Sequence, residues 1–126
     1  MTEERRPLVL VADDDPDILS LVKLRLERSG YDVVSAGDGQ QALETARTRA
    51  PDLALLDVMM PKLDGYEVTA RLRQEEATRH LPVILLTARV QETDIARGIE
   101  AGADDYVKKP FSTHELRDRV QAVLGR

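Results

Sequence analysis

An open α/β sheet of parallel strands, covered by helices on both faces, is the fold that this sequence predicts. Three observations predict it. Apolar runs of about five residues alternate with segments whose apolar positions recur at helical spacing, a repeated β-α pattern. The runs are apolar nearly throughout, as strands buried on both faces are. Four of them end in polar chemistry: Leu8 to Ala12 leads into Asp13 and Asp14, Leu53-Ala54-Leu55-Leu56 into Asp57, Val83 to Leu86 into Thr87, and Tyr106-Val107 into Lys108 and Lys109. In open α/β sheets the chemistry lies outside the carboxyl ends of the strands, so these residues are the candidate site.

Taken in order, Leu8 to Ala12 is the first strand, and Asp15 with Pro16 reads as the N-cap and first residue of a helix. Ile18, Leu19, Val22 and Leu26 fall on one face of that helix, and Gly30 suits its stop. Asp32 to Ala36 is the second strand, Gly37-Asp38-Gly39 a turn, and Gln40 to Arg49 the second helix, which Pro51 prevents from continuing. The third strand runs into Asp57. Val58 to Leu63 holds Pro61 and must be a loop; Asp64-Gly65 then opens a third helix that frays into the polar stretch Glu75 to His80. Pro82 to Thr87 is the fourth strand, Gln91 to Ala101 the fourth helix with Gly102 as its stop, and Asp105 to Val107 a short fifth strand. Ser112 and Glu115 have capping-box spacing, which starts a fifth helix ending near Gly125.

Composition bounds the function. The 126 residues suit one domain with one core, expected over residues 1–126 and leaving no room for an output domain. The packed part is expected from about residue 7 to about residue 124. The net charge of −5 comes from 23 acidic and 18 basic residues that are interleaved, without the basic stripe that direct nucleic-acid binding requires. There is no cysteine, no signal-peptide pattern and no run near the ~20 apolar residues of a membrane span, so a soluble cytoplasmic protein is expected.

Asp13 and Asp14, with Asp15 and Asp17 close behind, could not all ionise beside Asp57 without a compensating cation. Carboxylates, a backbone carbonyl and water suit Mg²⁺. Taken alone the acid run reads first as a helix cap and a solvated face, and only second as a metal site. Lys109 adds an ammonium that could neutralise charge or hold an oxygen of a transferring phosphoryl group. Lys108 competes for that role, but adjacent strand residues point to opposite sides, and Pro110 after Lys109 suggests a fixed bond geometry, a cis bond among the options, that aims its predecessor. Thr87 could donate its hydroxyl to the same group. A carboxylate, a divalent cation, a lysine and a hydroxyl together describe transient phosphorylation of an aspartate.

The segments Leu10-Val11-Ala12-Asp13-Asp14-Asp15-Pro16, Leu55-Leu56-Asp57-Val58-Met59-Met60-Pro61, Leu86-Thr87-Ala88 and Tyr106-Val107-Lys108-Lys109-Pro110-Phe111 resemble, in order, the signatures of bacterial response-regulator receiver domains. The resemblance implies a flavodoxin-like (βα)5 fold with strand order 2-1-3-4-5. It implies Asp57 as phosphoacceptor, Asp13 and Asp14 with Asp57 and the Met59 backbone carbonyl as Mg²⁺ ligands, Lys109 contacting the phosphoryl group, and Thr87 and Tyr106 as switch residues, Tyr106 turning inward after Thr87 moves. Met59 and Arg89 stand where the family tunes loss of the phosphoryl group. The implied partners are a histidine kinase or histidine phosphotransfer protein and a downstream target or absent output domain.

The last third most resembles the branch that carries a winged-helix DNA-binding domain and dimerises through salt bridges on the face of helix four, strand five and helix five. Asp104, Asp105, Glu115 and Arg119 match its pattern. Ile95 and Gln121 replace basic residues usual there, which leaves a weak homodimer or none, since exposed pairs contribute only about 0–1 kcal/mol each.

Two other readings share some of these features. A haloacid-dehalogenase-like phosphatase would use the Asp-x-Asp spacing of Asp13 to Asp15, but the order of Asp104-Asp105 and Lys109 is the reverse of that family's, and Asp57 would be idle. A phosphorylation-independent interaction module of the same fold would usually lack one of the site residues, and here the full set is present. Gly37-Asp38-Gly39 lacks the third glycine of a nucleotide-binding loop and reads as a turn. His80 and His114 have no metal-ligand company and are expected to face solvent.

Overall fold

The computed structural model describes residues 6–88 and 91–125. Five strands form one parallel sheet in the order β2-β1-β3-β4-β5: β1 (Leu8–Ala12), β2 (Asp32–Ala36), β3 (Leu53–Asp57), β4 (Val83–Thr87) and β5 (Asp105–Lys108). They alternate with α1 (Pro16–Arg28), α2 (Gly39–Arg49), α3 (Gly65–Gln74), α4 (Glu92–Ala101) and α5 (Thr113–Leu124). The expected fold class and strand order are both present.

The pleat explains why the strands are apolar throughout. Leu10, Ala12, Ala54, Leu56, Val83 and Leu85 point to one face and pack with Leu43 and Ala46 of α2 and Val68 and Leu72 of α3. Their sequence neighbours Val9, Val11, Leu53, Leu55, Ile84 and Leu86 point to the other, against Val22 and Leu26 of α1 and Leu116 and Val120 of α5. With helices on both faces, every residue of β3 and β4 is buried. Edge strand β2 is half exposed, as only one neighbour covers it. Among the described residues no helix is long and apolar enough to cross a membrane.

Most element ends follow the expected chemistry. Asp15 caps α1 through the Asp17 N–H, with Pro16 at the first helical position. Gly102 and Gly125 adopt left-handed conformations that end α4 and α5, at φ of 103° and 73°. Strand β4 begins at Val83 and α4 at Glu92, one residue later than expected in each case, while β5 extends one residue further, to Lys108. At α5 the Ser112 hydroxyl accepts the Glu115 N–H at 3.0 Å. The reciprocal capping box is formed instead at α3, where Asp64 and Glu67 serve each other's backbone at 2.8 and 3.2 Å.

Two segments depart from expectation. Glu75 to His80 does not fray; it folds into turns because the buried Thr78 hydroxyl donates to the Leu72 carbonyl at 2.8 Å and Arg47 bonds Glu75 at 2.7–3.1 Å. Gly37-Asp38-Gly39 is more than a turn, since Asp38 caps α2 and Gly39 is its first residue. A Cβ on Gly39 would lie 1.9 Å from the Leu63 carbonyl oxygen, so only a bare α-carbon lets α2 pack against the β3-α3 loop. The Gly39 N–H also donates to the Pro61 carbonyl at 3.3 Å.

Gly39→Ala is therefore expected to destabilise the fold by about 2 kcal/mol or more, because backbone must move to admit the methyl group. At Gly37 the nearest atom to an added Cβ is the flexible Gln41 Oε1 at 3.8 Å. Gly37→Ala should stay within about 0.5 kcal/mol of the parent in urea unfolding.

Candidate functional site

Strand β1 pairs with β2 on one side and β3 on the other, so the chain reverses direction across the sheet between β1 and β3. The carboxyl ends of these two strands carry Asp13 and Asp57, at the crevice where open α/β sheets hold ligands. Both side chains are buried, with 1% and 6% of their residue surface exposed. Asp13 is anchored by its own N–H to the Ala36 carbonyl at 3.1 Å, and its Oδ1 accepts the Asp15 N–H at 3.0 Å. The Asp57 main chain leads directly into Val58, whose N–H donates to the Leu86 carbonyl at 3.0 Å.

Lys109 joins them. Its Nζ donates to Asp13 Oδ2 at 2.7 Å and to Asp57 Oδ1 at 3.2 Å. The Lys109 N–H is tied to the Thr87 carbonyl at 2.7 Å, so the end of β4 sets where this side chain starts. Lys108, at the end of β5, is exposed, and the pleat turns it away, as the period of the strand requires. The Lys109–Pro110 peptide bond is cis.

Asp14 completes the cluster from the solvent side: carboxylate oxygens of Asp13, Asp14 and Asp57 all lie within 4.8 Å of one another. Burial pushes the Asp57 carboxyl above the usual carboxylate range, and the Asp13 charge adds to this, while Lys109 opposes both. For Lys109, burial acts to lower the ammonium's pKa, but the hydrogen bond to Asp13 and the charges of Asp57 and Asp13 outweigh it and the net direction is up. Three carboxylates around one ammonium leave an excess of negative charge at a half-open site. This donor set fits a small hard cation such as Mg²⁺, which takes oxygen ligands from only one or two carboxylates and keeps others from water or phosphate.

Thr87 is buried at the tip of β4. With Val58, Met59, Asp64, Tyr66, Asp94 and Arg97 it lines a cleft of about 70 Å³ beside Asp57. Met59 is 64% exposed at its rim, so its side chain is free to shield the site while its main chain belongs to the loop. Arg89 lies outside the described residues. His80 and His114 are exposed, as expected.

Tyr106 does not have its hydroxyl in water. It meets the Tyr66 hydroxyl at 2.8 Å and the Asp94 backbone carbonyl, and the Tyr66 hydroxyl lies 3.4 Å from that same carbonyl. Burial, then the hydrogen bond to Tyr66, raises the Tyr106 pKa well above its ordinary value. Tyr66 was not legible as part of this region, although an aromatic residue in the first turn after the Asp64 cap was a usable signal in a chain with only three tyrosines and one phenylalanine. Arg73 was likewise missed. Its guanidinium donates to the Gly102 carbonyl at 2.8 and 3.0 Å, to Leu81 at 2.6 Å and to Asp104 at 3.1 Å, joining α3 to the α4-β5 turn.

On the opposite side of β5, Arg119 donates to both Asp105 oxygens at 2.8 and 3.0 Å within the same chain. Asp104 is engaged by Arg73 and by the Val83 N–H at 2.8 Å. Two of the acids expected on a dimer face thus already have partners of their own.

Comparison with known proteins agrees with this geometry. Residues 9–121 match the family described as response regulator receiver domain. The chain is 52% identical over 118 residues to the alkaline phosphatase synthesis transcriptional regulatory protein PhoP of Bacillus subtilis, covering 94% of this chain and 48% of that protein. It is 48% identical over 120 residues to the DNA-binding dual master transcriptional regulator RpaA of Synechocystis, covering 95% of this chain and 50% of the other. The chain thus spans about half the length of the curated relatives it matches. Among solved structures, the receiver domain of a sensor histidine kinase from Pseudomonas aeruginosa, with a magnesium ion coordinated in its active site cleft, superposes with a TM-score of 0.89 at 34% identity, covering 97% of this chain and all of that one. The acidic strand-end crevice, the five-stranded order and the match over nearly the whole chain have one reading: the chain belongs to the response regulator receiver domain family and is a receiver domain of two-component signalling.

Proposed function

We propose that Asp57 is the phosphoacceptor, taking a phosphoryl group from a histidine kinase or histidine phosphotransfer protein. The observation that carries this is the Lys109 ammonium shared between buried Asp13 and Asp57, beside an exposed Asp14 that opens the cluster to solvent. In the transfer a carboxylate oxygen of Asp57 forms the new P–O bond, and the P–N bond of the donor phosphohistidine breaks with its electron pair returning to the imidazole.

Asp14, Asp57 and the Met59 backbone carbonyl would hold Mg²⁺, with Asp13 holding the ion or its waters. When bound, the ion supplies charge neutralisation for phosphoryl oxygens. This chain's own residues do the rest. Lys109 holds Asp57 in place and offers a cation to the transferring oxygens, and Thr87, at the tip of the neighbouring strand, offers a hydroxyl to the same group. Binding a phosphoryl group draws Thr87 toward it and favours the inward position that Tyr106 already takes against α4, which changes the α4-β5-α5 face.

That face is then the output surface for a downstream protein or an output domain, with homodimerisation weak. The pairing of Asp105 with Arg119 and of Asp104 with Arg73 supports weakness, because these charges would have to be shared or exchanged to bridge two chains. A phosphatase that used Asp13 as nucleophile is disfavoured, since residues 9–121 match the receiver domain family.

Intact mass after incubation with Mg²⁺ and a small acyl phosphate should show one added phosphoryl group on the parent and none on Asp57→Ala. An adduct that persisted in Asp57→Ala, or moved to Asp13, would sink the assignment. Lys109→Ala should slow both gain and loss of the group by about tenfold or more, through loss of a positioned cation.

Thermal unfolding offers a separate check. Mg²⁺ should raise the midpoint of the parent, by about 2.7 kcal/mol of stability at a hundred times its dissociation constant, and a chelator should reverse this. Asp57→Asn should be more stable than the parent without metal, since it removes a desolvated charge, and should gain less from Mg²⁺.

A further inference from the structure

Tyr106 lies with its ring against the backbone of α4, and this position depends on a glycine. A Cβ on Gly98 would fall 2.3 Å from Tyr106 Cε2 and 2.6 Å from its hydroxyl oxygen. Glycine inside a helix costs about 1 kcal/mol relative to alanine, so the residue weakens α4 where the ring needs the space. At this same hydroxyl end of the ring, three oxygens converge: the hydroxyls of Tyr106 and Tyr66 and the Asp94 carbonyl. Two hydroxyl protons serve this triangle. Whether Tyr66 donates to Tyr106 or to Asp94, each hydroxyl finds a partner in this partly buried region.

Tyr66 is itself fixed. It is 6% exposed, the Arg97 guanidinium lies over its ring at 4.5 Å from the centroid, and Arg97 also approaches Asp64 at 3.8 Å. It follows Gly65, whose N–H donates to the Val58 carbonyl at 3.0 Å and whose α-carbon packs so closely that an added Cβ would meet the Asp57 carbonyl oxygen at 2.7 Å. The tyrosine that holds Tyr106 is thus one residue from the backbone that carries the acid cluster.

We propose that Tyr66 and Gly98 form the seat that keeps Tyr106 turned inward, and so act as positioning residues that set how strongly the state of Asp57 is transmitted to α4. The seat supplies a hydroxyl latch and a bare helix surface. Its effect on transmission rests on the reading of Asp57 as phosphoacceptor and Tyr106 as switch. A ligand that favours the inward arrangement binds less tightly when that arrangement is less populated, by the same factor as the population changes.

The test uses the full chain with ring-labelled tyrosine, reading the Tyr106 side-chain rotamer by NMR couplings in the parent, Tyr66→Phe and Gly98→Ala. Tyr66→Phe keeps the ring under Arg97 and removes only the hydroxyl. Its inward population should fall by about three- to tenfold relative to the outward one, the worth of one net hydrogen bond. Gly98→Ala should drive the ring out, and the thermal midpoint of each variant establishes that it remains folded. Beryllofluoride with Mg²⁺, a phosphoryl mimic, is then titrated, and its apparent affinity should fall in Tyr66→Phe in proportion to the inward fraction that the couplings give. Unchanged rotamers in both folded variants would overturn the seat. An inward fraction lowered severalfold in either folded variant with unchanged beryllofluoride affinity would overturn the seat's role in transmission. A parent protein that takes up neither beryllofluoride nor a phosphoryl group at Asp57 would overturn the phosphoacceptor reading instead, while the rotamers still decide the seat.

Discussion

The ammonium of Lys109 is the charge around which the carboxyl edge of the sheet is organised. Asp13 and Asp57 come from adjacent strands and are withdrawn from water, where two like charges repel and each loses hydration. Lys109 reaches them from beyond the other end of the sheet, two strands away from β3, and holds both. Removing the ammonium would strand two buried carboxylates, a loss of the kind that typically costs about 3–5 kcal/mol. Here the compensation is deliberately incomplete, with three carboxylates to one ammonium. Stability is forgone at the point where, on the proposed reading, a cation and a phosphoryl group are accepted.

Holding that arrangement open requires the loops around it to lie very close to the strands, and glycine supplies the clearance. Gly65 lets α3 begin against the main chain of Asp57, and Gly39 lets α2 begin against Leu63 at the far side of the same loop. Between these two contacts the β3-α3 loop carries Met59. Lys62, in this loop, adopts a φ of 72° without being glycine and approaches Asp38 at 3.6 Å, so the N-cap of α2 also steadies it. The loop is thus fixed by backbone proximity at its two ends and by a charge in between.

From the loop the structure continues into α4 and β5 along two routes. Tyr66 meets Asp94 and Tyr106 on the side near the acid cluster, and Arg73 gathers Leu81, Gly102 and Asp104 at the opposite end of the helices. The second route is a multi-point hydrogen-bonded clamp and would resist movement, whereas the first rests on hydroxyls and an aromatic face that can be released one contact at a time. Helix α4 is anchored at its end and adjustable near its start. This asymmetry suits an element whose near end must respond to chemistry at the sheet.

The β-α alternation, the five strands and the doubly buried sheet were legible because burial on both faces writes a continuous apolar run, and Asp13, Asp14, Asp57, Thr87 and Lys109 were legible because each directly ends or follows such a run. Lys109 could be preferred over Lys108 from the pleat alone. The turns of Glu75 to His80 read as fraying because a single buried hydroxyl, Thr78, orders an otherwise polar stretch. Gly39 read as a turn residue because its need for a bare α-carbon comes from Leu63, 24 positions away in the chain. Tyr66 and Gly98 escaped for the same reason, since neither has a pattern of its own and each acquires meaning only when Tyr106 is brought against α4. The sequence by itself determined the order of the elements and the chemical groups at the strand ends, because local periodicity and strand termini are properties of neighbours in the chain. Only the tertiary structure decided which of those groups share a charge, which glycines are steric necessities and which tyrosine holds the other, because these depend on distances between residues that the chain itself keeps far apart.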